Sequence, residues 1–414
     1  MRRYHARIAD EILADMLDFM PAILIEGPRY SGKTETARQL SNSEVLLDTD
    51  QDARLALAVN PAPVLQGETP RLIDEWQSEP LSWNLVRRAC DNRGESGQFL
   101  LTGSAAPTDG ITRHSGAGRI VRFKMRPMSL FEQGKSDGLV SLNGLLSGEK
   151  VAADRPKLTF DEAVEALCRG GWPAIQDFGL RESLRYCRSY VEEIARTDLT
   201  PESSFDRVRM TRVLASIARN IATNATFSSM QNDVDPTMHP ATFTRYMNQL
   251  ELVHVIEPQQ AFATHLRSRA RLRNTAKQHF CDPSLAVAAL GTHPDMLKND
   301  LKYLGFLFES LVVRDLRIYA EANEANVYFY RDNTGLEIDA IVQDVSGRWI
   351  PIEIKLGGEQ HIESASHSLQ RFTNKVDKKR MGGPAKMLVI TCTPSYGYER
   401  DDGVSVVSIG SLGP

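Results

Sequence analysis

Cysteine is scarce in this chain: five residues in 414 (Cys90, Cys168, Cys187, Cys281 and Cys392), scattered and without a C-x-x-C pair. That spacing argues against a zinc ribbon and a disulfide framework, and it fits reduced thiols in a cytoplasmic protein. Long apolar runs are missing too. None approaches the roughly 20 residues of a membrane span, and the opening Met1-Arg2-Arg3-Tyr4 reads as charged and helical rather than as a secretory leader. A cytoplasmic chain with no membrane partner is expected. Charge of one sign is not in excess: the net charge is -4, so a nucleic-acid surface has to be local rather than global. Internal repeats and low-complexity tracts are absent. What remains is a globular profile, 42% hydrophobic and 25% charged, in a chain too long for one core. Two or three domains are expected.

One stretch carries immediate chemistry. Gly27-Pro28-Arg29-Tyr30-Ser31-Gly32-Lys33-Thr34 fits G-x-x-x-x-G-K-[ST], with a strand-like Ala22-Ile23-Leu24-Ile25 before it and a helix-like Glu35-Thr36-Ala37-Arg38 after it. Strand, loop and helix in that order are the context a P-loop requires. The glycines let backbone N–H groups curl around phosphate oxygens at a helix start. Gly27, Pro28, Arg29, Ser31, Gly32, Lys33 and Thr34 are therefore the expected nucleotide contacts, with Lys33 on the β- and γ-phosphates and the Thr34 hydroxyl on Mg²⁺. About forty residues on, Pro70-Arg71-Leu72-Ile73-Asp74-Glu75 ends an apolar strand in two acids. Asp74 is expected to hold Mg²⁺ and Glu75 to deprotonate the attacking water. Phe99-Leu100-Leu101-Thr102-Gly103-Ser104 closes another strand on hydroxyls, where Ser104 is expected to sense the γ-phosphate. Gly116-Ala117-Gly118-Arg119 puts a guanidinium on a turn, in cis or reaching a neighbouring subunit, with Arg113 as a second candidate.

Along the chain, strands are expected at 22–26, 44–48, 70–74, 98–102 and 119–124, alternating with helices in a parallel α/β sheet. Residues 135–158 read as a polar linker or lid. A helix over 159–169 begins at a capping box, Thr159 with Glu162, and Gly170-Gly171-Trp172-Pro173 breaks it. Residues 208–256 read as helix, short helix, turn and helix, the order of a winged helix-turn-helix. Its third helix begins near Pro240 and exposes Thr242, Thr244, Arg245 and Asn248. Arg267, Arg269, Arg271 and Arg273 recur at the strand period, which suits either a charged edge strand or a wing laid along phosphates. Beyond residue 300 a helix (301–319) precedes strands at 326–331, 336–343 and 348–355, a helix at 361–376 and a strand at 386–391.

Gly-Pro-Arg at 27–29, Gly-Lys-Thr at 32–34, Ile-Asp-Glu-Trp-Gln at 73–77, Leu-Thr-Gly-Ser at 101–104 and Gly-Arg at 118–119 together resemble the bacterial and archaeal AAA-type ATPases of the AAA_14 family. The rest resembles their usual C-terminal partner, the DUF4143 region. Gly170-Gly171-Trp172-Pro173, Phe280-Cys281-Asp282 and Gly305-Phe306-Leu307-Phe308-Glu309 stand where that family has similar short motifs. The resemblance implies an ATP- and ADP-binding protein with a P-loop sheet, a helical region and a nuclease-like terminal domain. The division expected is 1–135, 136–299 and 300–414.

Carboxylates in the last section support that ending. Glu337-Ile338-Asp339 and Ile352-Glu353-Ile354-Lys355 both alternate as half-buried strands do. A hairpin through Gly347 brings Asp339 beside Glu353, and Glu309 from the preceding helix completes an acidic shell. Converging carboxylates repel one another, so Mg²⁺ or Mn²⁺ at Glu309, Asp339 and Glu353 is expected, with Lys355 placed to activate water. This arrangement resembles the PD-(D/E)XK nuclease core. The leading expectation is an ATPase coupled to a nucleic-acid-interacting, nuclease-like domain. The alternatives are an ATP-dependent regulatory or assembly switch, acting as a homo-oligomer, and a DNA-binding regulator that does not cut.

Overall fold

The computed structural model describes residues 4–103, 116–196, 205–264, 275–393 and 395–414. The chain forms two compact units, Met1–Pro127 with Leu252–Val255, and Met128–Glu251 with Ile256–Pro414. No helix among the described residues is long and apolar enough to cross a membrane. All five cysteines are buried free thiols.

The first unit is built on five parallel strands, β1 (Ala22–Glu26), β2 (Ser43–Leu46), β3 (Arg71–Asp74), β4 (Phe99–Gly103) and β5 (Ile120–Lys124), in the order β2-β3-β4-β1-β5. β1 lies inside the sheet, between β4 and β5, and is buried along its whole length. Its sequence is a continuous apolar run rather than an alternation because both faces are covered, as in parallel sheets generally. Leu24, Ile73 and Leu101 face one way, against Ala53, Leu57, Trp83, Val86 and Cys90 of the helices Gln51–Val59 and Leu81–Arg93. Ile23, Ile25, Leu72 and Leu100 face the other, against Ala9, Leu13, Leu17 and Ala37 of the helices Ile8–Phe19 and Lys33–Leu40. Because every strand runs the same way, Gly27, Asp74 and Gly103 leave the sheet at one edge. The crevice beyond the carboxyl ends is where open α/β sheets bind ligands.

The second unit combines helices with a six-stranded mixed sheet. Strand β6 (Val140–Ser141) precedes the helices, and β7 (Ala325–Arg331), β8 (Glu337–Asp344), β9 (Trp349–Lys355), β10 (Met387–Thr391), β11 (Tyr398–Glu399) and β12 (Val404–Ser408) make the sheet in the order β11-β12-β10-β9-β8-β7. The β7-β8-β9 part is antiparallel and β9-β10-β12 is parallel. Ala365, Leu369 and Phe372 of the helix Glu359–Lys375 pack on Ile338, Val389 and Val406. The helix Leu301–Glu321 packs on β7, β8 and β9 and is buried from Leu307 to Ala320 without a break. A helix enclosed on all sides must find partners for its polar residues. Arg314 does so by donating to Asp282 Oδ2 at 2.7 Å and to Asp315 Oδ1 at 2.9 and 2.7 Å.

Those carboxylates hold two of the short motifs in place. Asp282 accepts from the Gly171 and Ser284 amides at 2.9 Å each, and Asp315 accepts from the Leu130 amide at 3.0 Å. Met128 N donates to Gly171 O at 2.6 Å, and a Cβ on Gly171 would lie 2.1 Å from Met128 O. Gly170-Gly171-Trp172 and Phe280-Cys281-Asp282 are thus parts of one buried junction. Residues 135–158, expected as linker or lid, are instead packed. Leu142, Leu145 and Leu146 are buried, Ser136 Oγ donates to Leu412 O at 2.6 Å, and β6 pairs with the terminal strand β13 (Leu412–Gly413). The polar composition of that stretch hid a tertiary clasp onto the chain end.

The helices Arg207–Arg219, Phe227–Val234 and Pro240–Leu252 follow the expected order. Thr244, Arg245 and Asn248 are exposed while Thr242 is half-buried. Antiparallel bridges Ile256–Phe280 and Gln259–Lys277 come next. Arg267, Arg269, Arg271 and Arg273 lie between them, outside the described residues.

Candidate functional site

The loop leaving β1 is shaped by its glycines. A Cβ on Gly27 (φ +153°) would sit 2.1 Å from Met125 O, and Gly32, with φ 100°, caps the helix Lys33–Leu40. Lys33 is buried and donates from Nζ to the carbonyls of Gly27 and Pro28 at 2.9 Å each, so its ammonium spans the loop's own carbonyl groups. Ser31 Oγ closes the same turn on Pro28 O at 2.9 Å. Arg29 and Tyr30 are exposed at the rim. Thr34 Oγ1 donates to Asp74 Oδ1 at 2.8 Å, and Thr102 Oγ1 donates to the same oxygen. The P-loop hydroxyl and the strand-end acid, forty residues apart in sequence, are therefore in contact.

Glu75 follows in a left-handed conformation (φ 50°), which turns the chain sharply as β3 ends. Its carboxylate accepts from Gln77 Nε2, and its amide donates to Thr102 Oγ1 at 3.4 Å. Burial raises the Glu75 pKa; the Lys33 ammonium opposes the rise and Asp74 adds to it. A hydroxyl and a carboxylate in contact are hard oxygen donors suited to Mg²⁺. Lys33, Thr34, Asp74 and Glu75 fit a magnesium nucleotide.

Ser104 and Arg113 lie outside the described residues. Thr102, two positions before Ser104, supplies the hydroxyl that touches Asp74. Strand register decides this, because β3 pairs with β4 at Ile73–Leu101 and leaves Thr102 beside Asp74. Arg119 is not brought to the P-loop of its own chain. Its carbonyl accepts from the Ala22 amide, at the start of β1, whereas the P-loop leaves the far end of that five-residue strand. Roughly 16 Å separates the two ends, at about 3.3 Å per residue. Arg119 instead pairs with Asp91 at 2.7 Å on the surface. The expectation that it serves the site in cis is corrected by the parallel register of β5 on β1.

In the second unit the hairpin through Gly347 forms as expected. β8 meets β9 at Ala340–Ile352 and Ile341–Pro351, and one step further that register sets Asp339 against Glu353 on one face. Lys355 Nζ lies 3.0 Å from Asp339 Oδ2 and 2.6 Å from Glu353 Oε2. The Ile354 amide also donates to Asp339 Oδ2, at 2.8 Å. Glu309 stands nearby on its helix but is held by a residue the sequence did not flag. Lys277 is 1% exposed and places Nζ 2.7 Å from both Glu309 and Glu337. Four acidic side chains thus face two ammonium groups. No group of three or more acidic, histidine or cysteine side chains among the described residues is arranged to hold a metal ion. Where Mg²⁺ or Mn²⁺ was expected at Glu309, Asp339 and Glu353, this structure places lysines from two different segments. An excess of acids around Lys355 was the only sequence hint that a second cation was needed, and nothing local picked out Lys277.

Residues 20–133 match the model of an AAA domain, named AAA_14. Residues 304–412 match a domain of unknown function (DUF4143), and residues 161–296 match a second one (DUF8612). The chain carries an AAA domain and a DUF4143 region. Uncharacterized proteins of Mycobacterium bovis and Mycobacterium tuberculosis are each 24% identical over 343 residues, covering 81% of this chain and 70% of theirs. Among solved structures, a Walker-type ATPase of Pyrococcus abyssi is similar at 13% identity, with a TM-score of 0.42 over 68% of this chain and 94% of that one. A STAND protein of Pyrococcus horikoshii with a tetratricopeptide repeat sensor is 11% identical, with a TM-score of 0.23 over 77% and 48% of the two chains.

The DUF4143 cluster makes stability depend on pH. Burial pushes the Glu309 carboxyl up to about 8 from an ordinary 4.5, against the pull of Lys277. Burial and the adjacent Asp339 also raise Glu353. Burial opposes the charge on Asp339, but Lys355 and Lys277 outweigh it and hold that pKa low. Between pH 4.5 and about 8 the folded chain keeps the Glu309 proton that the unfolded chain has released. The stability from this group is therefore complete below pH 4.5 and is lost as pH rises towards 8, by up to about 1.4 kcal/mol per pH unit. Urea titrations at pH 5, 6, 7 and 8 should show that decline, and Glu309→Gln should flatten it. A wild-type curve already as flat as the variant's would contradict the raised carboxyl.

Proposed function

We propose that the AAA domain binds and hydrolyses ATP with Mg²⁺, that the DUF4143 region is a restriction-endonuclease-like core, and that this core, with the helical DUF8612 region before it, engages nucleic acid without cutting it. The observation that carries the first part is the 2.8 Å contact of Thr34 Oγ1 with Asp74 Oδ1, which joins the P-loop to the acid at the end of β3. On binding, Lys33 would exchange the Gly27 and Pro28 carbonyls for β- and γ-phosphate oxygens, while the loop amides take the rest of the phosphate charge. Thr34 and Asp74 would hold Mg²⁺, which offsets negative charge between the phosphates. Glu75, held through one oxygen by Gln77, would take the proton of the water that attacks the γ-phosphorus and releases ADP.

The second part rests on the lysines of the carboxylate cluster. Asp339, Glu353 and Lys355 are together as in a PD-(D/E)XK core, but Lys277 occupies the acidic shell, paired with Glu309 and Glu337. Nucleic-acid engagement is supported by the three helices over 207–252, their exposed Thr244, Arg245 and Asn248, and the antiparallel bridges after them, the order of a winged helix.

The test combines ATPase assays with plasmid, single-stranded DNA and RNA incubated with and without ATP, Mg²⁺ and Mn²⁺, and binding read by fluorescence anisotropy. ATP turnover and salt-sensitive nucleic-acid binding without cleavage are expected. Metal-dependent cutting that disappears in Asp339→Asn would replace the non-cleaving reading with a nuclease. Turnover with neither binding nor cutting would leave an ATP-driven switch.

A further inference from the structure

The residues before the first helix reach the P-loop. Arg7 lies at 6% exposure just before the helix Ile8–Phe19, thirteen positions ahead of residue 20, where the match to the AAA domain begins. Its Nη1 donates to Ser31 O at 2.9 Å and its Nη2 to Arg126 O at 2.8 Å. One guanidinium thus ties the phosphate loop to the backbone leaving β5, the same stretch whose Met125 carbonyl forbids a side chain at Gly27. Tyr4 lies alongside, its hydroxyl 2.9 Å from Thr36 Oγ1 and 2.5 Å from Asp10 Oδ1.

We propose that Arg7 is a positioning residue for the nucleotide site, fixing the Ser31–Gly32 peptide in the orientation that phosphate binding needs. The argument is geometric. A trans peptide is planar, with its C=O and N–H pointing in opposite directions. Anchoring the Ser31 carbonyl therefore fixes the Gly32 N–H on the opposite side. Gly32, at φ 100°, has no side chain to hold that plane by packing. In P-loops the backbone N–H groups cradle the phosphates, so a peptide that rotates loses a donor and turns a carbonyl towards the anion. A planar fork with two donors in fixed geometry suits this task, and a lysine offers only a point charge on a flexible stem. The fork is buried and bonded to carbonyls, and it acts through the loop rather than on the nucleotide.

This inference rests on the P-loop being an ATP site, so the experiment measures both. Dissociation constants of a fluorescent ADP analogue and of ATP are compared for wild type, Lys33→Ala, Arg7→Ala and Arg7→Lys, beside the melting temperature of each protein without nucleotide. Arg7→Ala should bind at least ~10-fold more weakly, as expected when charge-assisted hydrogen bonds are lost. Added guanidinium at low millimolar concentration should recover at least half of that loss on a logarithmic scale. Arg7→Lys should fold like wild type and bind with intermediate affinity. A general stability defect would lower the melting temperature yet give folded Arg7→Ala protein wild-type affinity and no guanidinium rescue, and that result overturns the proposal. Should Arg7→Ala fail to fold, wild-type affinity in Arg7→Lys overturns it equally. Wild type binding no better than Lys33→Ala would instead refute the ATP reading, and the role of Arg7 with it.

Discussion

Replacing Glu75 by Gln is expected to leave ATP bound while turnover falls by at least ~100-fold, the usual worth of a positioned base. Lys33→Ala should lose most of the binding itself. The contrast follows from where each group sits. Lys33 is bonded to the carbonyls of Gly27 and Pro28 in the loop, so in the proposed mechanism it would meet the nucleotide in the ground state. Glu75 stands past the end of β3, beside Thr102 and Gln77, and in the proposed mechanism it would meet the attacking water rather than the bound nucleotide. Isothermal titration of both variants with ATP, beside steady-state phosphate release, separates binding from chemistry. A Glu75→Gln protein with no ATP affinity would count against the assignment, and so would one turning over at the wild-type rate. Because burial raises the Glu75 pKa, the proposed base should lose its charge at a higher pH than an ordinary glutamate, and turnover should decline towards acid pH.

Arg314→Leu is expected to destabilise the second unit by about 3–5 kcal/mol, since it leaves buried carboxylates without a counter-charge. Asp282 and Asp315 are both fully buried, and between them they hold the amides of Gly171, Ser284 and Leu130. Burial already pushes Asp315 up to about 6 while Arg314 is present, so its removal would force protonation or water entry. Urea unfolding followed by far-ultraviolet circular dichroism measures the loss. A midpoint unchanged within about 0.5 kcal/mol would show the junction to be held by packing alone. The triple variant Arg314→Leu with Asp282→Asn and Asp315→Asn should recover part of the stability, because an apolar or neutral replacement of a whole buried ion cluster is tolerated far better than the loss of one member.

Local sequence was enough for the parts governed by local physics. The apolar run of β1, the two glycines and Gly-Lys-Thr specify strand, anion loop and helix by themselves, because backbone freedom and hydrogen-bond geometry act over a few residues. The capping box of Thr159 and Glu162 formed for the same reason, with both reciprocal bonds present. Alternation along 337–341 and 352–355 was enough to set Asp339 beside Glu353, since a hairpin register follows from period two and one tight turn. What joins distant segments was not legible. Lys277 reaches Glu309 and Glu337 from 32 and 60 positions away, and nothing in Ala276-Lys277-Gln278 distinguishes a buried counter-ion from a solvated lysine. Arg7 is one of three arginines in the first seven residues, and only the packing of its helix on the sheet aims it at Ser31. Arg119 sits on a turn as expected, yet the parallel register of β5 on β1 sets it at the end of the sheet away from the P-loop of its own chain. Residue type and spacing fix which chemistry a segment can perform. Which charges meet depends on long-range burial, where each buried ion must find its partner wherever the fold brings one.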